Sequence, residues 1–263
     1  MLEFHPTISV FRKRLQSSGL NLLGTISLET YRQNRTKEID FCKVWPQAQS
    51  ILIIGNGGGE FWCQYRKFCH QQPDFLKQSH PLDTFTRQII EQTARVFDEA
   101  GVSYHLFYPF YTEPVWFPFV TLAKLAGLGT PSPLGMLVHP TYGPWIAFRA
   151  GVLLPFDVPE SPLDLQGKPC EGCLRYCLQG CRGNAADFSK DRIDLERCIT
   201  FRKAELPCRA TCHARLACPV GEEYRYPEDE IRYHYTFPLT LAPSPQGGEG
   251  WGDGETKGSP CKS

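Results

Sequence analysis

Apolar and polar positions along the first two thirds of the chain alternate between helical and extended periods. The pattern over residues 7–18 predicts an opening helix that ends near Gly19, followed by a short strand around Leu22 to Ser27 and a polar helix near Glu29 to Lys37. Ser50-Ile51-Leu52-Ile53-Ile54 is an unbroken apolar run rich in β-branched residues, which predicts a buried strand stopping at Gly55. The Gly55-Asn56-Gly57-Gly58-Gly59 stretch behind it has neither the dinucleotide fingerprint nor the P-loop spacing, and a turn explains it as well. From Pro81 to Gly101 the helical period is strong: Phe85, Ile89, Thr93 and Val96 share one face, with Ile90 and Phe97 beside them. Val102 to Tyr108 should return as a strand, and Phe119 to Leu125 as a helix ended by Gly127-Leu128-Gly129. Leu134 to His139 and Trp145 to Leu154 read as extended segments, joined by a hairpin turn at Pro140-Thr141-Tyr142-Gly143-Pro144. Strands alternating with helices predict an α/β layer, and the late pair predicts antiparallel pairing.

Composition bounds the rest. A chain of 263 residues with 41% hydrophobic and 13% aromatic content has material for one substantial core and a small module. The longest apolar run, Trp145 to Phe156, is interrupted by Arg149 and falls short of the roughly 20 residues a spanning helix needs. No secretory leader pattern opens the sequence, so a cytoplasmic, membrane-free protein is expected. A formal net charge of zero argues against nucleic-acid binding by bulk electrostatics, although a faint basic bias over 170–218 is compatible with an RNA partner. The organisation expected is an α/β domain over 1–160, a proline-rich connector, a cysteine module over 165–225, and a Gly/Pro/Ser-rich tail over 237–263 that cannot bury a core.

Eight of the twelve cysteines lie between Cys170 and Cys218. They fall into Cys170, Cys173, Cys177 and Cys181, then Cys198, then Cys208, Cys212 and Cys218-Pro219. Eight soft thiolates are the ligand count of two cubane 4Fe-4S clusters. In the ferredoxin run C-x2-C-x2-C-x3-C-P the last cysteine of each run ligates the other cluster. On that model Cys170, Cys173, Cys177 and Cys218 hold one cluster, and Cys181, Cys198, Cys208 and Cys212 the other. The first group is one residue too long and lacks its proline, and the second reads C-x3-C-x5-C-P, so the added residues must bulge. Zinc is the alternative, since Cys170/Cys173 with Cys208/Cys212 would make one pair of knuckles but leave four thiols unused. Disulfides need an oxidising compartment. Cys42, Cys63, Cys69 and Cys261 stand outside the group and are read as free thiols.

The segment Ala126-Gly127-Leu128-Gly129 through His139-Pro140, Tyr142-Gly143-Pro144-Trp145, Arg149 and Val152-Leu153-Leu154-Pro155 resembles the corrinoid-binding core of epoxyqueuosine reductases and of the eukaryotic cobalamin-processing chaperones. The reductases carry A-G-L-G and F-G-S-W at these points, and the chaperones carry I-H-P-R-F-G-G-W-F-A-I-R-G-V-V-L-L-P. Arg197-Cys198-Ile199-Thr200 is similar to the R-C-I-S segment between the two cysteine groups of the reductases, a module that the animal chaperones lack. The resemblance spans about residues 10–220. It implies a nitroreductase-like α/β sandwich that binds cobalamin, followed by a small ferredoxin-like module. It further implies reduction of an epoxide on a modified tRNA nucleoside, fed by an external donor such as a flavodoxin or ferredoxin. The rival role is a cobalamin-processing protein that reductively removes the upper ligand.

Two departures bear on the substrate. The D-x-x-P-x-x-E-R stretch of the reductases is replaced by Tyr111-Thr-Glu-Pro-Val-Trp-Phe-Pro, which leaves Glu113 as the nearest acid, either a proton donor or a plain surface glutamate before Pro114. The lysine after A-G-L-G is absent. Gly127, Gly129, Gly135 and Gly143 allow close approach to a flat ring, and Tyr142 and Trp145 could cover it. His139 is either a partner for corrin amides or a satisfied histidine at a strand end. Arg149 sits in an apolar strand and must meet an acidic partner, a phosphate or a thiol cofactor, or form a structural ion pair.

Overall fold

A computed structural model describes residues 6–34, 39–111, 115–161, 167–183, 185–204 and 206–236. Glu113 and the 237–263 tail lie outside them, as does Cys261. The chain opens with α1 (Pro6–Ser17), β1 (Leu22–Ser27), α2 (Leu28–Asn34), α3 (Phe41–Val44) and β2 (Ser50–Gly57). It continues with α4 (Glu60–Gln71), α5 (Pro81–Glu99), β3 (His105–Phe107) and α6 (Phe119–Leu125). Next come β4 (Thr130–Pro131), β5 (Leu137–Val138) and β6 (Ile146–Leu154).

The main sheet has the order β1-β2-β6-β3, and every pairing in it is antiparallel. All eight residues of β2 are buried, because helices cover both faces of the sheet. Leu52 and Ile54 point into a core shared with Ile8, Phe11, Phe61, Phe85 and Phe97 of α1, α4 and α5. Ile51 and Ile53 point the other way, into a core with Tyr31, Phe41, Leu122 and Ala123 of α2, α3 and α6. The period of two thus divides one apolar run between two cores, giving an α/β/α sandwich. Gly151 lets the central pair lie close to β3, since a Cβ there would sit 2.0 Å from the Phe107 ring.

Three expectations are corrected. Leu134 to His139 and Trp145 to Leu154 are not sheet partners: β5 pairs with β4, β6 pairs with β2 and β3, and the turn between the two segments closes on itself at a His139–Gly143 bridge. The Gly55–Gly59 stretch is not a loose turn, since Gly55 to Gly57 continue β2 and α4 starts at Glu60. Cys42 is disulfide-bonded rather than free, whereas Cys63 and Cys69 are free thiols. Among the described residues, no helix is long and apolar enough to cross a membrane.

After β6 the chain is pinned along the edge strand: Thr25 Oγ1 donates to the Pro159 carbonyl at 2.6 Å, and Glu160 accepts from the Ser27 amide at 2.9 Å. The cysteine module follows as short elements: α7 (Tyr176–Gln179), β7 (Ala186–Asp187), β8 (Arg192–Ile193), α8 (Leu195–Ala204), α9 (Leu206–Ala210) and α10 (His213–Leu216). Its own core is small, with Cys177, Leu178, Ala185, Ile193 and Ala214 packed on Leu134 of the sandwich. The chain then turns back onto the sandwich, and the described residues close with α11 (Glu228–Thr236).

Candidate functional site

Short helices and tight turns position the sulfurs. Arg175, in the left-handed region at φ 59°, turns the chain into α7, and its guanidinium donates to the Cys170 carbonyl and pairs with Asp191. Ile193 of β8 donates to the Pro133 carbonyl at 2.6 Å, which fastens the module to the loop before β5.

The eight thiols separate into two sets of neighbours. Burial pushes the Cys170 thiol up, and nearby Cys218 and Cys173 add to it. Cys177 is pushed up to about 11, by burial first and then by Cys218, Cys170 and Cys173. Cys218 is likewise raised by burial and by Cys173, against a backbone amide bond from Val220. In the other set, burial raises Cys198 and Cys208, and each also feels Cys212 and Cys181. Cys181, Cys198, Cys208 and Cys212 all line one cavity of about 160 Å³. These sets have the same members as the two ligand sets drawn from the ferredoxin run. Among the described residues no group of three His, Cys, Asp or Glu side chains converges on a single ion. Four thiols around a cavity suit a cluster that occupies volume better than one tetrahedral ion. Arg202 and Arg182 oppose the upward shift at Cys208, and Arg175 does so at Cys170, so each set has cations placed to balance thiolate charge.

The residues assigned to a corrin ring are placed less simply. Gly127 and Gly129, with φ of 71° and 151°, end α6 and turn into β4, and a Cβ at Gly129 would lie 3.0 Å from the Val138 carbonyl. Gly135, at φ 74°, borders a cavity of about 550 Å³ between α6 and the module, lined among others by Lys124, Met136, Leu137 and Asp194. His139 is a turn histidine: its Nδ1 accepts from the backbone amides of Thr141 and Tyr142 at 3.1 and 3.3 Å, and burial lowers its pKa. Gly143 faces the chain itself, since a Cβ there would lie 1.8 Å from the Val220 carbonyl. Tyr142 stacks edge-on against Tyr224 with centroids 4.7 Å apart. Trp145 is 1% exposed, edge-on to Tyr226 at 5.6 Å, with the Arg215 guanidinium 4.6 Å from its ring centre. Arg149, 8% exposed, donates to Asn56 Oδ1 at 2.7 Å and lies 5.1 Å from the Phe61 centroid. Its directed partner is a neutral amide in place of the expected anion or ion pair. In this closed arrangement the face flanked by Gly143 and Trp145 has no room for a macrocycle.

Sequence reasoning missed what lies against that face. Glu230 of α11 is fully buried, and neither carboxyl oxygen has a hydrogen-bond partner. Burial pushes it up to about 8, although Arg149 and Arg215 pull the other way. His234, one turn further on, has its Nε2 3.8 Å from Glu230 and is lowered to about 3, first by burial and then by the same two arginines. Glu230, Ile231 and His234 at spacings of one, three and four on a polar helix were the available signal, together with Tyr226.

No family model matches the chain, and no curated protein matches it. Solved structures do. The epoxyqueuosine reductase of Streptococcus thermophilus superposes with a TM-score of 0.55 at 13% identity, covering 82% of this chain and 66% of that one. The chain therefore spans about two thirds of that enzyme's length. The C. elegans B12-trafficking protein CblC, a homologue of human MMACHC, superposes with a TM-score of 0.55 at 15% identity, covering 87% of this chain and 90% of that one. At these identities the likeness concerns architecture. The chain has the α/β fold that these epoxyqueuosine reductase and CblC structures share.

Proposed function

We propose that this protein is an iron-sulfur reductase that works with a corrinoid, of the epoxyqueuosine reductase kind, with a modified tRNA nucleoside as substrate and an external flavodoxin or ferredoxin as donor. The observation that carries the reading is the division of eight cysteines into two sets of four neighbouring thiols, one of them around a cavity of about 160 Å³. When bound, cubane clusters pass electrons one at a time and a corrinoid supplies a strongly reducing cobalt centre.

The chain's own residues prepare for the first task. Thiols raised by burial stay protonated until a metal binds, so loading releases protons and depends on pH. The backbone amides of Val220 and Leu178 bond Cys218 and Cys177 and favour those two sulfurs as thiolates, and that of Arg215 reaches Cys212 Sγ at 3.4 Å. Cys218 stands two residues before Val220, whose carbonyl rests on Gly143, and two residues of chain span at most about 7 Å. That closeness supports electron delivery to the sandwich face holding Gly143.

The test is anaerobic reconstitution with iron and sulfide, followed by metal analysis and spin resonance. About eight irons per chain are expected. Cys208→Ala should lose about half of them, and Cys63→Ala none. Zinc without iron in the protein purified anaerobically would overturn the reading. Cobalamin processing is the second reading, favoured by the 90% coverage of the CblC structure. Loaded protein that reduces an epoxyqueuosine stem-loop supports the first. Loss of the upper ligand from methylcobalamin without stem-loop reduction supports the second.

A further inference from the structure

Four of the residues assigned to a ring, Tyr142, Gly143, Trp145 and Arg149, are covered by one continuous stretch of the chain itself. Val220 and Gly221 sit on Gly143 and Tyr142, Tyr224 on Tyr142, and Tyr226 on Trp145. Pro227 lies against Gly59, and Glu230 lies near Arg149. We propose that residues 220–236 are a strap that closes the Gly143 to Arg149 face and swings away to admit a ligand. The proposal rests on the corrinoid reading above and adds the control of that site.

The way the strap is held fits reversible closure. Its fully buried apolar contact is a separate cluster of Trp145, Tyr226 and Ile231, and one further ring, the partly buried Tyr233, rests on the first sandwich core beside Trp62 and Tyr65. Buried in or beside that contact without hydrogen-bond partners are Trp145 Nε1, both Glu230 carboxyl oxygens, His234 Nε2 and Arg225 Nε. Unpaired buried polar atoms cost free energy while the strap is shut and regain water when it opens, so opening requires much less than unfolding the sandwich. A surface latch holds the outer side: Asp229 accepts from Trp62 Nε1 at 3.0 Å and pairs with Arg66 at 2.8 Å. The far end of α11 reaches the module, where Tyr235 lines the cavity of the second cysteine set under the Arg202 guanidinium, 4.7 Å away.

The experiment uses the full chain, reconstituted anaerobically, with hydroxocobalamin as the probe. Binding is followed by absorbance, and motion by hydrogen exchange in 228–236 against β2 and β6. Two variants loosen the strap: Asp229→Ala removes the latch, and Tyr226→Ala removes the main apolar contact. Asp229→Ala removes the exposed pair with Arg66 and the bond from Trp62 Nε1 but leaves the apolar contact in place, and it serves if Tyr226→Ala fails to fold. The expected result is at least tenfold tighter hydroxocobalamin binding in a loosened variant, and faster exchange of 228–236 in the wild type once the probe is added. Equal affinity in wild type and variants, with 228–236 still protected, would overturn the strap and leave the corrinoid reading standing. No binding by any form would overturn the corrinoid reading and the strap's gating role with it.

Discussion

A buried guanidinium needs directed partners, and Arg149 takes one from a side chain 93 positions earlier, Asn56 Oδ1 at 2.7 Å. Asn56→Leu keeps the branching of the side chain but strands that charge, and should lower stability by about 2 to 3 kcal/mol in urea unfolding. Asn56→Asp offers a carboxylate at the same distance and should hold or raise stability at neutral pH. If both variants lose equally, shape and not the bond is what Asn56 supplies. Glu230 and His234 make stability depend on pH in opposite senses. Glu230 is raised from 4.5 to about 8, so the native state keeps a proton that the unfolded chain gives up. Stability therefore falls as pH rises through that window. His234 is lowered from 6.5 to about 3, so its contribution falls as pH drops below 6.5. The two oppose each other between 4.5 and 6.5, and Glu230 acts alone from 6.5 to about 8. Glu230→Gln should accordingly be more stable than wild type at pH 8, by on the order of a few kcal/mol, and gain little near pH 4.5. A constant difference across that range would show that the carboxyl is not held neutral.

Among the elements, β3 meets β6 through a side chain laid over a bare backbone: the Phe107 ring lies on Gly151. Gly151→Ala should cost about 2 kcal/mol or more by overpacking, and Phe107→Leu in the same chain should recover part of it. Additive losses in that double-mutant cycle would mean that the two positions do not share the contact. This level also shows what the sequence could convey. β2 and α5 were legible because each buries a regular stripe, Ile51 to Ile54 in one and Phe85, Ile90, Ala94 and Phe97 in the other. α4 was not, since Phe61, Trp62, Tyr65 and Cys69 are diluted by charged and amide residues straight after a glycine run. β3 came out shorter than Val102 to Tyr108, with only His105–Phe107 paired, because β6 offers partners to three residues there. The pairing of β5 and β6 was misread because adjacency in sequence suggests a hairpin, while β6 finds longer partners in β2 and β3.

For the whole molecule, the distribution of buried apolar surface is uneven. Two large cores hold the sandwich, and a cluster of six buried residues, one of them Leu134 of the sandwich, holds the module. On the iron-sulfur proposal, stripping the reconstituted protein of metal with a chelator should therefore raise hydrogen exchange through 170–218 while β2 and β6 stay protected. Simultaneous loss of protection in both would mean that the sandwich leans on the module. The candidate site was legible to the extent that its chemistry is local: cysteine spacing is written in the chain, and so is the stretch from Gly127 to Arg149. What covers that stretch was not, because a run such as Glu228-Asp229-Glu230-Ile231-Arg232 reads as solvated, and only its docking on Trp145 buries Glu230. One more consequence follows from how the sulfurs are shared. Cys218 belongs with the 170s and Cys181 with the 200s, so the two sets are threaded through each other like links. If the two sets hold clusters as proposed, neither can be cut out, duplicated or grafted elsewhere by itself, and the cassette can be transplanted only whole.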